Sequence, residues 1–327
     1  MPNKSAALEK EMKVRSAKPN KWLRFYRCIP LYLMFLPGAL YLLMDKYIPM
    51  SGLIIAFKKV NWRKGILASD WVGFSNFTYL FKTKDAFNIT RNTLLYNLCF
   101  IVLGTVIAIT IAILLNEITS KLFKQVYQTI ILMPYLISIV VVSYLVFAML
   151  SSESGFINNT IFKALGVKPI SWYTEPKYWP FILVIVHIWK VFGYDCILYY
   201  ATLVGIDHGY YEAAVIDGAN RWQTLWKVTI PNVMPSITIC TFLTLTNSFK
   251  LFDQNLALTG GQPYTILSDG SSIKETEMLA LNILNTFYGQ NANSRGTAQA
   301  KAVLFFLLVA AIGLIQLRAT RKKEVQQ

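Results

Sequence analysis

Six stretches of the chain are apolar over about the length that a helix needs to cross a bilayer, roughly 20 residues at about 1.5 Å of rise each. They cover 29–57, 92–116, 126–150, 179–204, 232–256 and 298–318. A backbone in hydrocarbon has no water to bond, so each run is predicted to be a helix that closes its own hydrogen bonds. Asp45, Lys46 and Pro49 interrupt the first run, which predicts a span over 31–44 followed by an interfacial piece. The fifth run is the least apolar, with Asn247, Lys250, Asp253 and Gln254 near its end. Composition agrees: 54% hydrophobic against 15% charged residues in a chain of 327 leaves too little polar surface for a soluble shell. The expected fold is an all-α membrane protein of six transmembrane helices with short loops.

The net charge of +15 comes from 32 Lys and Arg against 17 Asp and Glu. In a soluble protein such an excess marks a nucleic-acid surface. Here it follows membrane topology, and no nucleic-acid partner is expected. Six spans place both termini on one side. With that side cytoplasmic, the inner segments hold 16 basic residues and the outer loops 12, as the positive-inside tendency requires. Residues 1–28 form a basic head with Lys4, Lys10, Lys13, Arg15, Lys18, Lys21, Arg24 and Arg27. Arg318, Arg321, Lys322 and Lys323 follow the last span directly, the basic tail being 320–327. Basic residues near anionic lipid gain about 1 kcal/mol each, so membrane lipid is an expected partner of the head. The head is too long for a secretory signal and no small-x-small site closes the run, so an uncleaved first span is expected. Lys58, Lys59, Arg63 and Lys64 on the outer side run against this pattern.

Catalytic chemistry finds little support. Cys28, Cys99, Cys196 and Cys240 lie in or beside apolar runs without a CxxC pair and are expected to be small packing residues. His187 and His208 are the two histidines, and no Walker A, HExxH or GxGxxG pattern occurs. His187 is expected to be a hydrogen-bonded packing residue. A membrane enzyme would need clustered His, Cys or carboxylates. An ion-driven secondary transporter would show inverted repeats and paired broken helices, and neither is visible.

The informative segment is the inner loop between the fourth and fifth spans, from Tyr210 to Pro235. It reads as two short helices joined at Asp217-Gly218, with Gly218 free to take a positive φ. Ala213, Ala214 and Ala219 keep the surface flat. Trp222, Leu225, Trp226 and Thr229 share one helix face by their i, i+3, i+4, i+7 spacing. The two tryptophans suit a membrane boundary. Pro231 is expected to end the second helix. Taken together, Glu212, Ala213, Ala214, Asp217, Gly218, Ala219, Ile230, Pro231 and Pro235 resemble the EAA loop of ATP-binding-cassette importer permeases. Leu225 stands where an aromatic residue is usual, and Val228 where isoleucine is. Tyr47-Ile48-Pro49-Met50, Ile55-Ala56-Phe57-Lys58, the run Ser248 to Gln254 and Thr259-Gly260-Gly261-Gln262-Pro263 are similar to segments of carbohydrate permeases, with Gln262 where a third glycine is more usual. Gly296 to Gln316 is similar to their sixth span.

The resemblance implies a type I importer permease with cytoplasmic termini, a permease domain over 29–319 and a coupling loop at about 206–235. It implies a second, usually different, permease chain, a dimeric ATPase, an extracellular solute-binding protein and a carbohydrate substrate. No cofactor is expected in this chain, because ATP and Mg would sit on the ATPase and hydrolysis would occur there. Glu212, Ala213, Ala214, Asp217, Gly218, Ala219, Leu225 and Pro231 would carry the ATPase contact. Glu212 would pair with a basic residue of that subunit or serve as a helix-start carboxylate. Polar groups inside a membrane are costly and flag pathways. On that ground Asn247, Lys250, Asp253 and Gln254 of the fifth span, with Lys190, Tyr194 and Asp195 of the fourth, are candidate path residues, and Phe249 or Tyr194 would supply the aromatic face beside which such groups hold a sugar. Inter-helix pairing is the alternative for the same groups. A non-sugar solute is the alternative substrate class.

Overall fold

The computed structural model describes residues 21–61, 63–82, 84–249, 251–266, 272–289 and 293–324. The chain divides into two compact units, Met1–Ile54 and Ile55–Gln327.

In the first unit, α1 (Lys21–Leu42) holds Pro30 and Pro37. It continues as a π turn (Leu43–Tyr47), a helical turn (Ile48–Met50) and a 3-10 stretch (Ser51–Phe57) whose last three residues are counted with the second unit. Cys28–Phe57 is long and apolar enough to cross a membrane. The expected break at Asp45 and Lys46 is therefore a change of hydrogen-bond register within a continuing helix. The two charges pair with each other at 2.8 Å. Proline explains the register change. Its ring collides with the carbonyl four residues earlier in a regular helix. The bond from Ile48 N–H to Leu43 O spans five residues, which widens the turn just before Pro49.

In the second unit, a hairpin pairs β1 (Lys58–Lys59) with β2 (Asp70–Trp71), in register Lys58↔Trp71. Lys58 is buried, and its ammonium donates to the carbonyls of Ile66 (3.2 Å) and Leu67 (2.6 Å). One charge of the anomalous basic loop is thus consumed in closing that loop. Then follow α2 (Ser75–Lys82), α3 (Lys84–Glu117), α4 (Lys121–Leu136), α5 (Ile139–Leu150), α6 (Trp179–Val204), α7 (His208–Ile216), α8 (Arg221–Thr224) and α9 (Ile230–Ser248). The chain closes with α10 (Asp253–Thr259), the hairpin β3 (Tyr264–Ile266) and β4 (Ser272–Lys274), α11 (Leu279–Phe287) and α12 (Ser294–Glu324).

Helices α3 and α6 make the most extensive contact. Ala108 and Ala112 of α3 lie in a cluster with Cys196, Tyr199 and Leu203 of α6 and Val233 and Cys240 of α9. A second cluster joins Tyr96 and Phe100 of α3 to Val142 of α5, Trp179 and Leu183 of α6 and Leu258 of α10. Lipid tails are as apolar as these side chains, so close packing and hydrogen bonds hold the helices together. Gly193 shows how close: a Cβ there would strike the backbone carbonyl of Ile131 on α4. The four cysteines are free, Cys196 and Cys240 buried and the others half-buried.

Among the described residues, five helices meet the length and hydropathy of a span, and six result when α4 and α5 count as one broken span. Three predicted runs map onto Ala86–Glu117, Pro176–Val204 and Ser294–Arg318. Three expectations are corrected. The third run is not one helix, because Ile137 and Ser138 are extended and the chain bends by 96° there. The fifth helix stops at Ser248, so Asp253 and Gln254 belong to α10. Pro231 does not end the loop helix. A π turn (Leu225–Thr229), closed from Ile230 N–H to Leu225 O, precedes it as the one at 43–47 precedes Pro49. Arg221–Ser248 is consequently a single span-length helix.

Candidate functional site

Two regions gather the candidate residues. The first is the loop that charge balance places in the cytoplasm. Asp207 caps α7, its side chain accepting from Gly209 N–H at 2.9 Å. The helix ends in a Schellman closure: Ala219 N–H donates to Ala214 O (2.9 Å) and Gly218 N–H to Val215 O (3.0 Å). Gly218 has φ +75°, as the elbow reading required. Asn220 then opens α8 with a capping box. Gln223 N–H donates to Asn220 Oδ1 (2.8 Å), and Asn220 N–H to Gln223 Oε1 (2.9 Å). The elbow is therefore locked from both sides. Its second lock was readable as Asn-x-x-Gln but was not assigned a role from sequence.

The helix-start carboxylate is Asp207, so Glu212, one turn further on, does not fill that role. Glu212 is exposed and makes no ion pair among the described residues. Ala213 is exposed, but Ala214 is buried within the chain and is not available for an outside contact. In its place the loop presents Val215 at 72% and Ile216 at 84% exposure, an apolar tip that the alanine pattern did not reveal. Asp217 is exposed beside them, and Ala219 is half-buried. The predicted tryptophan face divides. Trp222 and Trp226 are exposed and meet edge to face at 6.2 Å, while Thr229 is buried against the Tyr211 hydroxyl at 3.4 Å. Leu225 lies between them, half-buried, at the start of the π turn.

The second region is a cavity of about 330 Å³ between α4, α6 and α9. Tyr194, Asp195 and Asn247 line it, as do Tyr135 and Thr244. Tyr194 stacks on Tyr135 of α4, centroids 4.9 Å apart and planes within 17°. Tyr135 was missed from sequence; its signal is the Pro134 beside it, which loosens α4 near its end.

The other path candidates lie elsewhere. Lys190 donates to the carbonyls of Ile137 (2.7 Å) and Tyr135 (3.2 Å), the groups left open where α4 breaks. Gln254 is 1% exposed. It donates to Leu183 O at 3.0 Å, and its Oε1 meets His187 Nδ1 at 3.0 Å. His187 also stacks on Phe100. Phe249 is buried against Phe305. Asp253 is exposed at the start of α10, where it accepts from Gln254 N–H. Lys250 lies outside the described residues.

Residues 101–324 match the family model described as "Binding-protein-dependent transport system inner membrane component". The chain is 35% identical over 221 residues to the polygalacturonan/rhamnogalacturonan transport system permease protein YteP of Bacillus subtilis, covering 68% of each chain. It is 33% identical over 304 residues to the probable starch degradation products transport system permease protein AmyD of Thermoanaerobacterium thermosulfurigenes, covering 90% of this chain and 95% of that one. A chain in the crystal structure of a bacterial alginate ABC transporter, solved in complex with an alginate pentasaccharide-bound periplasmic protein, superposes with a TM-score of 0.79 at 28% identity. That match covers 92% of this chain and 97% of the other.

Proposed function

The chain belongs to the family of binding-protein-dependent transport system inner membrane components, and from that premise we propose that it forms half of the path of an ATP-driven importer for a sugar or oligosaccharide. It is a membrane transport subunit, and ATP hydrolysis belongs to a separate dimeric ATPase carrying ATP and Mg. A solute-binding protein delivers the substrate from outside, and a second, different permease chain completes the path. The carbohydrate class is supported by what YteP and AmyD are named for and by the alginate in the similar structure.

The observation that carries the reading is the elbow at Gly218. Val215 and Ile216 stand out of the surface, Glu212 has no ion-pair partner among the described residues, and two capping motifs fix their direction. An apolar tip with a carboxylate beside it fits a groove with apolar walls and a basic rim. On the membrane side, Asp195, Asn247, Thr244 and the Tyr135–Tyr194 pair give the cavity hydroxyl-binding groups beside aromatic rings, which suits a sugar.

Affinity purification of the tagged chain from its own membranes tests the assembly. The expected result is recovery of an ATPase and a second permease, with the ATPase lost from the Ile216→Asp variant while that variant still inserts and still brings down the second permease. Recovery of the chain alone from wild-type membranes would overturn the ATP-driven reading. Thermal unfolding of the accompanying binding protein against carbohydrates, amino acids and peptides then tests the substrate class. Stabilisation by a non-carbohydrate alone would overturn the sugar assignment.

A further inference from the structure

A second cavity, of about 430 Å³, opens between β4, α11 and the N-terminal parts of α3 and α12, on the side that charge balance places outside. Its walls are amides and hydroxyls, among them Asn88, Asn282, Asn285, Asn293, Thr286 and Thr297. The segment before α11 is pinned to α3, which gives the cavity a fixed frame. Leu279 N–H donates to Thr93 Oγ1 (2.8 Å), Tyr96 Oη to Glu275 O (2.7 Å) and Asn92 Nδ2 to Lys274 O (3.2 Å).

The charges around the cavity are engaged by the protein itself. Lys274 pairs with Glu277 at 3.4 Å, and Glu277 Oε1 accepts from Asn285 Nδ2 at 3.0 Å. Lys301 donates to Asn282 Oδ1 and Thr286 Oγ1, both at 2.7 Å. The other polar groups that line the cavity are neutral amides and hydroxyls. Asn293 Oδ1 is buried without a hydrogen-bond partner, while its Nδ2 donates to Asn76 Oδ1, and the half-buried Asn88 lines the same cavity. A buried amide oxygen without a donor is costly. A ligand group that both donates and accepts satisfies either end of such an amide, and vicinal hydroxyls do so in a fixed array. An anion would need uncommitted cations, and a hydrocarbon would strand the amides. The volume falls in the range of about 300–1,000 Å³ that small-molecule sites occupy.

We propose that this outer cavity is a second saccharide subsite, which holds one uncharged, hydroxyl-rich sugar unit at the outer mouth of the permease. The proposal rests on the carbohydrate reading above and adds a site distinct from the intramembrane cavity. The test uses the full complex in lipid nanodiscs with two photoreactive probes, diazirine-bearing maltotriose and diazirine-bearing trigalacturonate, and maps labelled peptides by mass spectrometry. The expected result is maltotriose label on α11 or α12. It should fall about tenfold in Asn88→Trp, which fills the cavity, and in the milder Asn88→Ala, while label near Tyr194 and Asn247 persists. Label confined to the intramembrane cavity overturns the outer subsite and leaves the carbohydrate reading standing. Outer label from trigalacturonate alone overturns the assignment to an uncharged unit. No label at either cavity from either probe overturns both the subsite and the carbohydrate reading.

Discussion

Replacing Lys190 by Met should weaken the fold of the membrane domain while leaving the cavity-lining Asp195 and Asn247 in place. Lys190 Nζ lies 2.7 Å from Ile137 O and 3.2 Å from Tyr135 O, where α4 gives way to a bend of 96°. The last carbonyls of a helix have no partner of their own, and a cation there also meets the negative end of the helix dipole. A hydrogen bond to a charged group contributes about 1.5–3 kcal/mol. The bond to Ile137 is partly buried and counts nearly in full, whereas the bond to Tyr135 is exposed and counts little. Methionine keeps the length and removes both bonds, so the expected loss is about 2–3 kcal/mol, or about 30- to 150-fold in the unfolding equilibrium. The assay is SDS-induced unfolding of the purified complex in mixed micelles, read by tryptophan fluorescence, with Lys190→Arg as the conservative control. Lys190→Met with wild-type stability but lost uptake would refute the capping argument and return Lys190 to the substrate path.

Gly218→Ala puts a Cβ on a backbone held at φ +75°, at a cost of about 1 kcal/mol, and Gly218→Pro removes the closing N–H as well. Both are expected to leave the complex assembled and to raise the ATP hydrolysed per sugar imported in proteoliposomes, the proline variant more; unchanged coupling in both would count against the elbow. Gly193→Val forces α6 away from the Ile131 carbonyl, so the complex should be lost on size-exclusion chromatography, and normal recovery would show that this contact is dispensable. Asn247→Ala and Asp195→Asn line the cavity without filling it, and each is expected to raise the half-saturation of uptake about threefold to tenfold at unchanged complex yield. Equal half-saturation in both variants and wild type would remove that cavity from the path.

Hydropathy located the spans because it reports what side chains cost to transfer, and that cost is local. It did not report where the backbone changes direction. The run 126–150 is apolar throughout, yet its helix breaks at Ile137 and Ser138. The freed carbonyls are satisfied by Lys190, a side chain more than fifty residues away in sequence. The same limitation extended the fifth span to residue 256, although α9 stops at Ser248 and Gln254 is drawn into a separate helix by its bonds to α6. The elbow was legible because its main determinant is local, a glycine able to take positive φ between two short helices; the caps at Asp207 and Asn220 are equally local but were not read from the sequence. Its apolar tip was harder to see, since Ala214, Val215 and Ile216 are all apolar and packing buries the smallest of them while the two larger ones face outward. Of the path candidates, Tyr194, Asp195 and Asn247 converge on one cavity, while Lys190, Phe249 and Gln254 join or cap helices. A polar residue in an apolar run signals that some partner exists without saying whether the partner is protein or solute.

Because Pro231 sits inside a continuous helix, the elbow and the cavity wall are two ends of one rod. From Arg221 to Asn247 the axis runs about 39 Å at the usual helical rise. A rod of that length turning by about 5° as one piece carries its far end by about 3 Å, roughly the reach of a hydrogen bond. The π turn at Leu225–Thr229 also sets the phase of the rod, fixing which side of α9 looks into the cavity relative to the elbow. Deleting one residue there to restore a regular helix would rotate Thr244 and Asn247 by about 100° relative to Gly218. The timing between the two ends is thus built in as an angle, carried in the winding of a single helix.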